Sequence, residues 1–317
     1  MADNWELIGK SSTSPKSNTN RAVVSTRVPK TENIIFIGSE MHYDLFWLKM
    51  MFVAASYPFV RSPKFRSCDK ATIAYINKGY TRTEKLAIEG LKNEINANKV
   101  EFKAIDSKEG LMSILKNNRE SFKLQDVAFF SHGLNGVITL NLDSSPTVNF
   151  TISDLASIPS NAFVSSGKFY SYACRTGLSD SILLRAKDSY DTLSEAKPED
   201  SLAQKIANRF DIEVHAYYKR TSYANVIRNR SESESIVASL QEKREEEPQK
   251  SILNLSQTYQ ALKHDGLAET GILFLTGGRG EGTNGYALWR NAGGQALPTA
   301  AESPTGLPSN MEIFRKK

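Results

Sequence analysis

His132 in "DVAFFSHGLNG" (126–136) and Cys174 in "GKFYSYACRTG" (167–177) are separated by 42 positions in the 317-residue chain, and their side chains suit joint chemistry. Each follows an apolar run that reads as a buried strand, and each sits beside small residues: Ser131 and Gly133 for the histidine, Ala173 for the cysteine. A free thiol titrates near about 8.5 and is only slightly ionised at neutral pH. A neighbouring imidazolium favours the thiolate and can later protonate a leaving amine. Attack on a carbonyl then creates an oxyanion that needs donors already aimed at it. The backbone N–H groups of Gly133 and Cys174 are the candidates, because a glycine leaves the approach to its own N–H open. Taken singly, a histidine at a strand end is more often a structural residue, and a lone cysteine in an apolar run a small core hydrophobe. It is the matched context of the two that favours chemistry.

The surrounding pattern supplies the elements needed to hold them. "NIIFIG" (33–38), "ATIAYI" (71–76), "VEFKAI" (100–105), "DVAFF" (126–130), the run ending at Ala173 and "IEVHAYY" (212–218) read as strands rich in β-branched and aromatic residues. Between them lie helical patterns. Thr81 and Glu84 have capping-box spacing ahead of Ile88, Leu91 and Ile95. Asp106 and Glu109 repeat that spacing ahead of Leu111, Ile114 and Leu115, and Leu202, Ile206 and Phe210 mark a third helix. "VITLNL" after Gly136 reads as a hairpin arm, and "TISDLASI" as a small helix. Strands separated by helices of this length predict an α/β three-layer fold, a mostly parallel central sheet with helices on both faces. In such sheets ligands sit beyond the carboxyl ends of the strands, where His132 and Cys174 fall.

The expected organisation is a polar tail over 1–31, a core over 32–225, a charged helical insertion or linker over 226–265, and a C-terminal β-hairpin with a Gly/Pro-rich extension over 266–317. The formal charge of +5 comes from 40 basic and 35 acidic residues scattered along the chain, which argues against nucleic acid as a partner. The two cysteines have no CxxC or Cys/His ligand spacing, so neither a disulfide framework nor a metal site is expected. The apolar stretch 45–55 is interrupted by Lys49 and is too short to span a bilayer. The N-terminus lacks the apolar core of a secretory signal, so the expected location is cytoplasmic, or outside the cell by a route independent of such a signal. "GEGTNG" (280–285) matches GxGxxG, but "YALWR" follows it instead of a helix, so no dinucleotide or other cofactor is expected.

Strand-His-Gly followed by strand-Ala-Cys, here "FFSHG" and "YACRTG", resembles the signature of the caspase-like (clan CD) cysteine peptidases, whose histidine lies roughly 50 residues upstream of the cysteine. The resemblance covers residues 32–223 and implies the caspase-like form of the three-layer fold. It also implies a His132–Cys174 dyad that hydrolyses peptide bonds through an acyl-enzyme, without a metal. The chain departs from caspases at Tyr172, where they carry glutamine, and at Thr176, inserted before Gly177. Aspartate specificity therefore does not transfer, and the chain resembles a divergent, bacterial or otherwise distant member. In the family the loop after the next strand, here "KRTSYANVIRNR" (219–230), helps build the pocket for the residue before the scissile bond. Lys219, Arg220 and Arg228 would suit an acidic side chain there, while Tyr217, Tyr218 and Tyr223 would wall an apolar one. Tyr172 is a further substrate-binding candidate. The partner expected is a protein or peptide substrate, with the N-terminal tail a handle for a regulatory partner or adaptor. The activity expected is self-processing or that of a proteolytic effector or toxin, and the rival expectation is a catalytically silent binding or scaffold module. Cys68, His42, His215 and His264 lack the paired context.

Overall fold

The computed structural model describes residues 29–41, 49–89, 91, 100–142, 144–223, 226, 294 and 296–317. Residues 1–28 of the expected N-terminal tail, most of the charged run 226–265, "GILFLT", the "GEGTNG" loop, "YALW", His42, Arg228 and His264 lie outside the described residues, while Lys30 and Thr31 already belong to the first strand.

In chain order the elements are β1 (Lys30–Ile37), α1 (Met51–Arg61), α2 (Pro63–Arg66), β2 (Lys70–Ile76), α3 (Arg82–Glu89), β3 (Val100–Ile105) and α4 (Lys108–Lys116). They continue with β4 (Phe122–Phe130), β5 (His132–Leu134), β6 (Val137–Thr139), β7 (Asn149–Thr151), β8 (Phe163–Ser171) and α5 (Ile182–Arg185). The last are α6 (Leu202–Phe210), β9 (Glu213–Ala216), β10 (Thr221–Ser222), β11 (Thr299–Ala300) and β12 (Glu312–Phe314).

A seven-stranded sheet in the order β12-β9-β8-β4-β1-β2-β3 forms the centre. Its pairings are parallel except that β12 runs antiparallel to β9. Alternate residues of each strand face opposite sides. Ile34, Phe36, Val127 and Phe129 pack with Leu111 and Leu115 of α4 and with Leu202, Ile206 and Phe210 of α6. Ile35, Ile37, Ala128 and Phe130 pack with Phe52, Val53 and Val60 of α1 and with Ile88 of α3. Covering both faces explains why these strands read as continuous apolar runs. Stacked rings of Phe36 and Phe129, 4.4 Å apart, and of Phe129 and Phe169, 5.3 Å apart, tie β1, β4 and β8 together through the middle of the sheet. Among the described residues no helix is long and apolar enough to cross a membrane.

The helix signals have direct counterparts. Glu84 Oε2 accepts from the Thr81 N–H at 2.7 Å, and Thr81 Oγ1 accepts from the Glu84 N–H at 3.3 Å, completing the capping box of α3. Helix α4 forms where expected but takes Ser107 as its cap instead of Asp106, its Oγ accepting from the Gly110 N–H at 3.2 Å. A single register shift separates the two choices, and both residue types cap well. Helix α1 runs through Pro58, which has no N–H for the carbonyl of Ala54. Gly294 comes up against that freed carbonyl so closely that a Cβ there would lie 1.7 Å from it.

The C-terminal region differs from the expected extension outside the core. Residues 312–314 complete the central sheet as β12, with Phe314 opposite Val214, and β11 pairs antiparallel with β10. Three residues are too few for alternation to stand out from a Gly/Pro-rich background. Arg315, just beyond β12, donates to Glu213 at 2.7 Å, and Lys168 of β8 pairs with the same carboxylate. Hydrogen bonds from Lys168 first and Arg315 second hold Glu213 at about 2, below the ordinary value of 4.5. A lowered folded-state value stabilises above the unfolded value and is lost as pH falls through the folded one. Glu213→Gln is therefore expected to lower the melting temperature at neutral pH by a small amount, since the cluster is partly solvated, and to flatten the loss of stability between about pH 4.5 and 2. Melting curves of wild type and variant across that range check it, and parallel curves would contradict it.

Candidate active site

The chain builds β1, β2 and β3 outward in one direction and then returns to place β4 on the other flank of β1, so the sheet reverses order between β1 and β4. Loops leaving strands on either side of such a reversal diverge and open a crevice. Glu40 follows β1, His132 begins directly after β4, and Cys174 follows β8, the parallel neighbour of β4. Phe129 of β4 stands opposite Ser171 of β8, so the two strand ends are level within a residue or two.

The contact between the two loops runs through Gly133. A Cβ on that residue would lie 2.5 Å from the carbonyl oxygen of Cys174, 2.7 Å from its nitrogen and 2.8 Å from the Cβ of Ala173. Such distances are shorter than real Cβ atoms show, so the backbones after β4 and β8 touch only because residue 133 is glycine. Both proposed oxyanion donors, the N–H groups of Gly133 and Cys174, thus lie on backbone segments in direct contact.

Cys174 is partly exposed, whereas Cys68 is buried. Its sulfur accepts from the backbone N–H of Thr221 at 3.2 Å. That N–H faces the sulfur because the neighbouring Arg220 makes the bonds to the C-terminal segment: its N–H donates to Ser303 at 2.7 Å and its carbonyl accepts from Ala301 at 2.8 Å. Backbone bonds from Arg175 to the Lys219 carbonyl and from Gly177 to the Tyr217 carbonyl, both 3.0 Å, fasten the loop after the cysteine to the chain leaving β9. Arg175 takes a left-handed backbone at φ 59, turning the chain sharply just past the sulfur.

His132 Nε2 lies 2.6 Å from Glu40 Oε2, and the imidazole meets the buried Phe52 ring of α1 edge to face with centroids 4.9 Å apart. Phe52 in turn meets the ring of Tyr223 edge to face at 5.0 Å. The Tyr223 hydroxyl donates to the Tyr172 carbonyl at 3.0 Å. Burial pushes that hydroxyl well above its ordinary range, and the nearby Cys174 sulfur adds to the rise. Tyr223 therefore links the end of β8, two residues before Cys174, through the Phe52 ring to the imidazole of His132.

The substrate-binding candidates divide. Tyr172 is 3% exposed and stacks on Phe130 at 4.6 Å, and Tyr223 is 7% exposed, so both are interior packing residues and not walls of an open pocket. Burial drives the Tyr172 hydroxyl far above its ordinary value, keeping it neutral. Lys219 is largely buried, with Nζ donating to Ser309 at 3.0 Å. Arg220 alone of these four keeps its side chain in solvent, 3.6 Å from Asp188. Tyr217 and Tyr218 are also buried, and burial raises each hydroxyl to about 12. Aromatic side chains next to a strand end fold inward because the apolar area they bury outweighs what a solvent-facing wall retains.

Sequence reasoning missed Glu40 and Phe52. The signal for Glu40 was an acidic residue placed three after a buried strand, in "FIGSE", and its role depends on β1 lying beside β4, which no local pattern reveals. Phe52 belongs to an apolar helix in which every ring reads alike.

The contribution of Tyr223 is separable from its ring. Tyr223→Phe is expected to cost about 1–3 kcal/mol by leaving the buried Tyr172 carbonyl without the hydroxyl's hydrogen bond. Thermal melts check this, and an unchanged melting temperature would show that the hydroxyl does not hold the end of β8.

Compared with known proteins, the sequence matches no protein-family model and no curated protein.

Proposed function

We propose that the protein is a cysteine endopeptidase of the caspase-like kind. The observation that carries this reading is the direct packing of Gly133 on the backbone of Cys174, with a histidine and a partly exposed thiol following the carboxyl ends of adjacent parallel strands. The alternating helices and strands, the mostly parallel sheet and the antiparallel edge strand support it further.

In this reaction His132 takes the thiol proton and the Cys174 sulfur attacks the substrate carbonyl carbon, forming a C–S bond. Negative charge moves onto the carbonyl oxygen, which the N–H groups of Gly133 and Cys174 receive. The oxyanion collapses, the C–N bond breaks, and the imidazolium proton passes to the departing amine. Water, deprotonated by the same imidazole, then attacks the thioester carbonyl and releases the carboxylic acid and the thiol. Thr221 N–H already points at the sulfur, 3.2 Å away.

Incubation of the purified chain with denatured protein and a peptide library, with mass spectrometry locating the cuts, tests the reading. Repeated cleavage at one side-chain class is expected. Complete inertness, together with no cut in the chain itself between residues 228 and 251, would favour the silent binding module that the same fold also allows.

A further inference from the structure

We propose that Glu40 is the positioning residue of this reaction. It fixes the His132 imidazole with the proton on Nε2, so that Nδ1 exchanges the proton with Cys174, and its carboxylate balances the imidazolium while the sulfur is charged. The assignment rests on the peptidase reading for its catalytic consequence, but its structural half stands on geometry alone.

The Glu40 side chain is fully buried, and its Oε2 lies 2.6 Å from Nε2. A buried carboxylate is unfavourable unless it is paired, and a pair in a poorly solvated place is strong and directional. The segment that presents it has little freedom. Gly38 N–H donates to the Phe130 carbonyl at 2.8 Å, and Ser39 N–H donates to the Leu140 carbonyl at 2.6 Å. The Tyr80 hydroxyl donates to the Gly38 carbonyl at 2.6 Å, and the buried Lys49 ammonium donates to the carbonyl of Glu40 itself. The backbone that carries Glu40 is thus held from β4, from the chain after β6, from the turn before α3 and from the residues just before α1. Phe52 meets the imidazole edge to face and limits its rotation.

With Nε2 committed to an acceptor, the neutral imidazole has its basic lone pair on Nδ1. A carboxylate in this place stabilises the imidazolium that forms when the thiol loses its proton, and in the serine triad loss of the corresponding carboxylate costs about 10⁴ in kcat, chiefly through the wrong tautomer. His132 is 22% exposed at its side chain, so the ring has one edge against buried Glu40 while part of its surface remains open to solvent.

Nitrogen-15 spectra of the wild-type protein, with His132 assigned by its loss in His132→Asn, test the structural half without any substrate. A protonated Nε2 and a bare Nδ1 are expected at neutral pH, whereas the opposite tautomer would overturn the proposal. Glu40→Gln is expected to mix the tautomers and to lower kcat by about 10²- to 10⁴-fold with KM changed by no more than about twofold, and Glu40→Asp to restore part of the loss. An equal fall for Gln and Asp with unaltered spectra, or unchanged kcat in Glu40→Gln, would overturn it too. Should the wild type turn over no peptide while its spectra show the expected tautomer, the peptidase reading fails and the geometry assigned to Glu40 survives.

Discussion

Cys174→Ala is expected to abolish peptide turnover while leaving the fold in place. Removing a catalytic nucleophile from a preassembled site costs up to about 10⁶ in kcat. The structural loss is small by comparison: the sulfur is partly exposed and, among the described residues, accepts one N–H, from Thr221, at 3.2 Å. Losing that bond is worth about 1 kcal/mol, a shift of only a few degrees in the melting temperature. Cys68 is the natural control, being 2% exposed with its thiol directed at the Phe65 carbonyl 3.2 Å away. Cys68→Ala leaves turnover intact. Turnover by Cys174→Ala at the wild-type rate, read with the same peptide library, would assign the chemistry elsewhere.

Gly133→Ala is expected to damage the site nearly as severely, by a different route. The added methyl meets backbone atoms at 2.5 and 2.7 Å, and neither the end of β8 nor β5, paired with β6, can yield without moving the cysteine or the glycine N–H. Loss of one oxyanion donor costs about 10²–10³ in kcat, and overpacking of this kind about 1–3 kcal/mol in stability. Gly110→Ala in α4 provides the contrast, because a Cβ there has its nearest neighbour at an ordinary 3.6 Å. That variant is expected to gain about 0.5–1 kcal/mol from helix propensity with turnover unchanged. Wild-type kcat/KM in Gly133→Ala would mean that the two loops do not cooperate in the reaction.

The strands and most helices were legible because both faces of the sheet are covered, so burial shows directly as apolar runs such as "NIIFI" and "DVAFF". Capping chemistry is local as well, and the Thr81–Glu84 pair is readable in four residues. The strand-end positions of His132 and Cys174 were legible for the same reason, since each follows a recognisable strand. What escaped depends on order in space. That β1 lies beside β4 decides the place of Glu40, and that the chain returns over 299–314 to pair with β10 and β9 decides what surrounds Thr221 and Lys219. Tyr172 and Tyr223 were expected at a pocket wall because strand-end residues near a thiol invite that reading. Their burial follows from ring contacts with Phe130 and Phe52, partners 42 and 171 positions away.

The most direct measurement is the rate at which iodoacetamide alkylates each cysteine, resolved by mass spectrometry, in wild type and in His132→Ala. With imidazole and thiol sharing one cleft, Cys174 labels well ahead of Cys68, and its rate near pH 7 falls by about tenfold or more once the imidazole is gone. Equal Cys174 rates in the two proteins, or preferential labelling of Cys68, would contradict the pairing of His132 with Cys174.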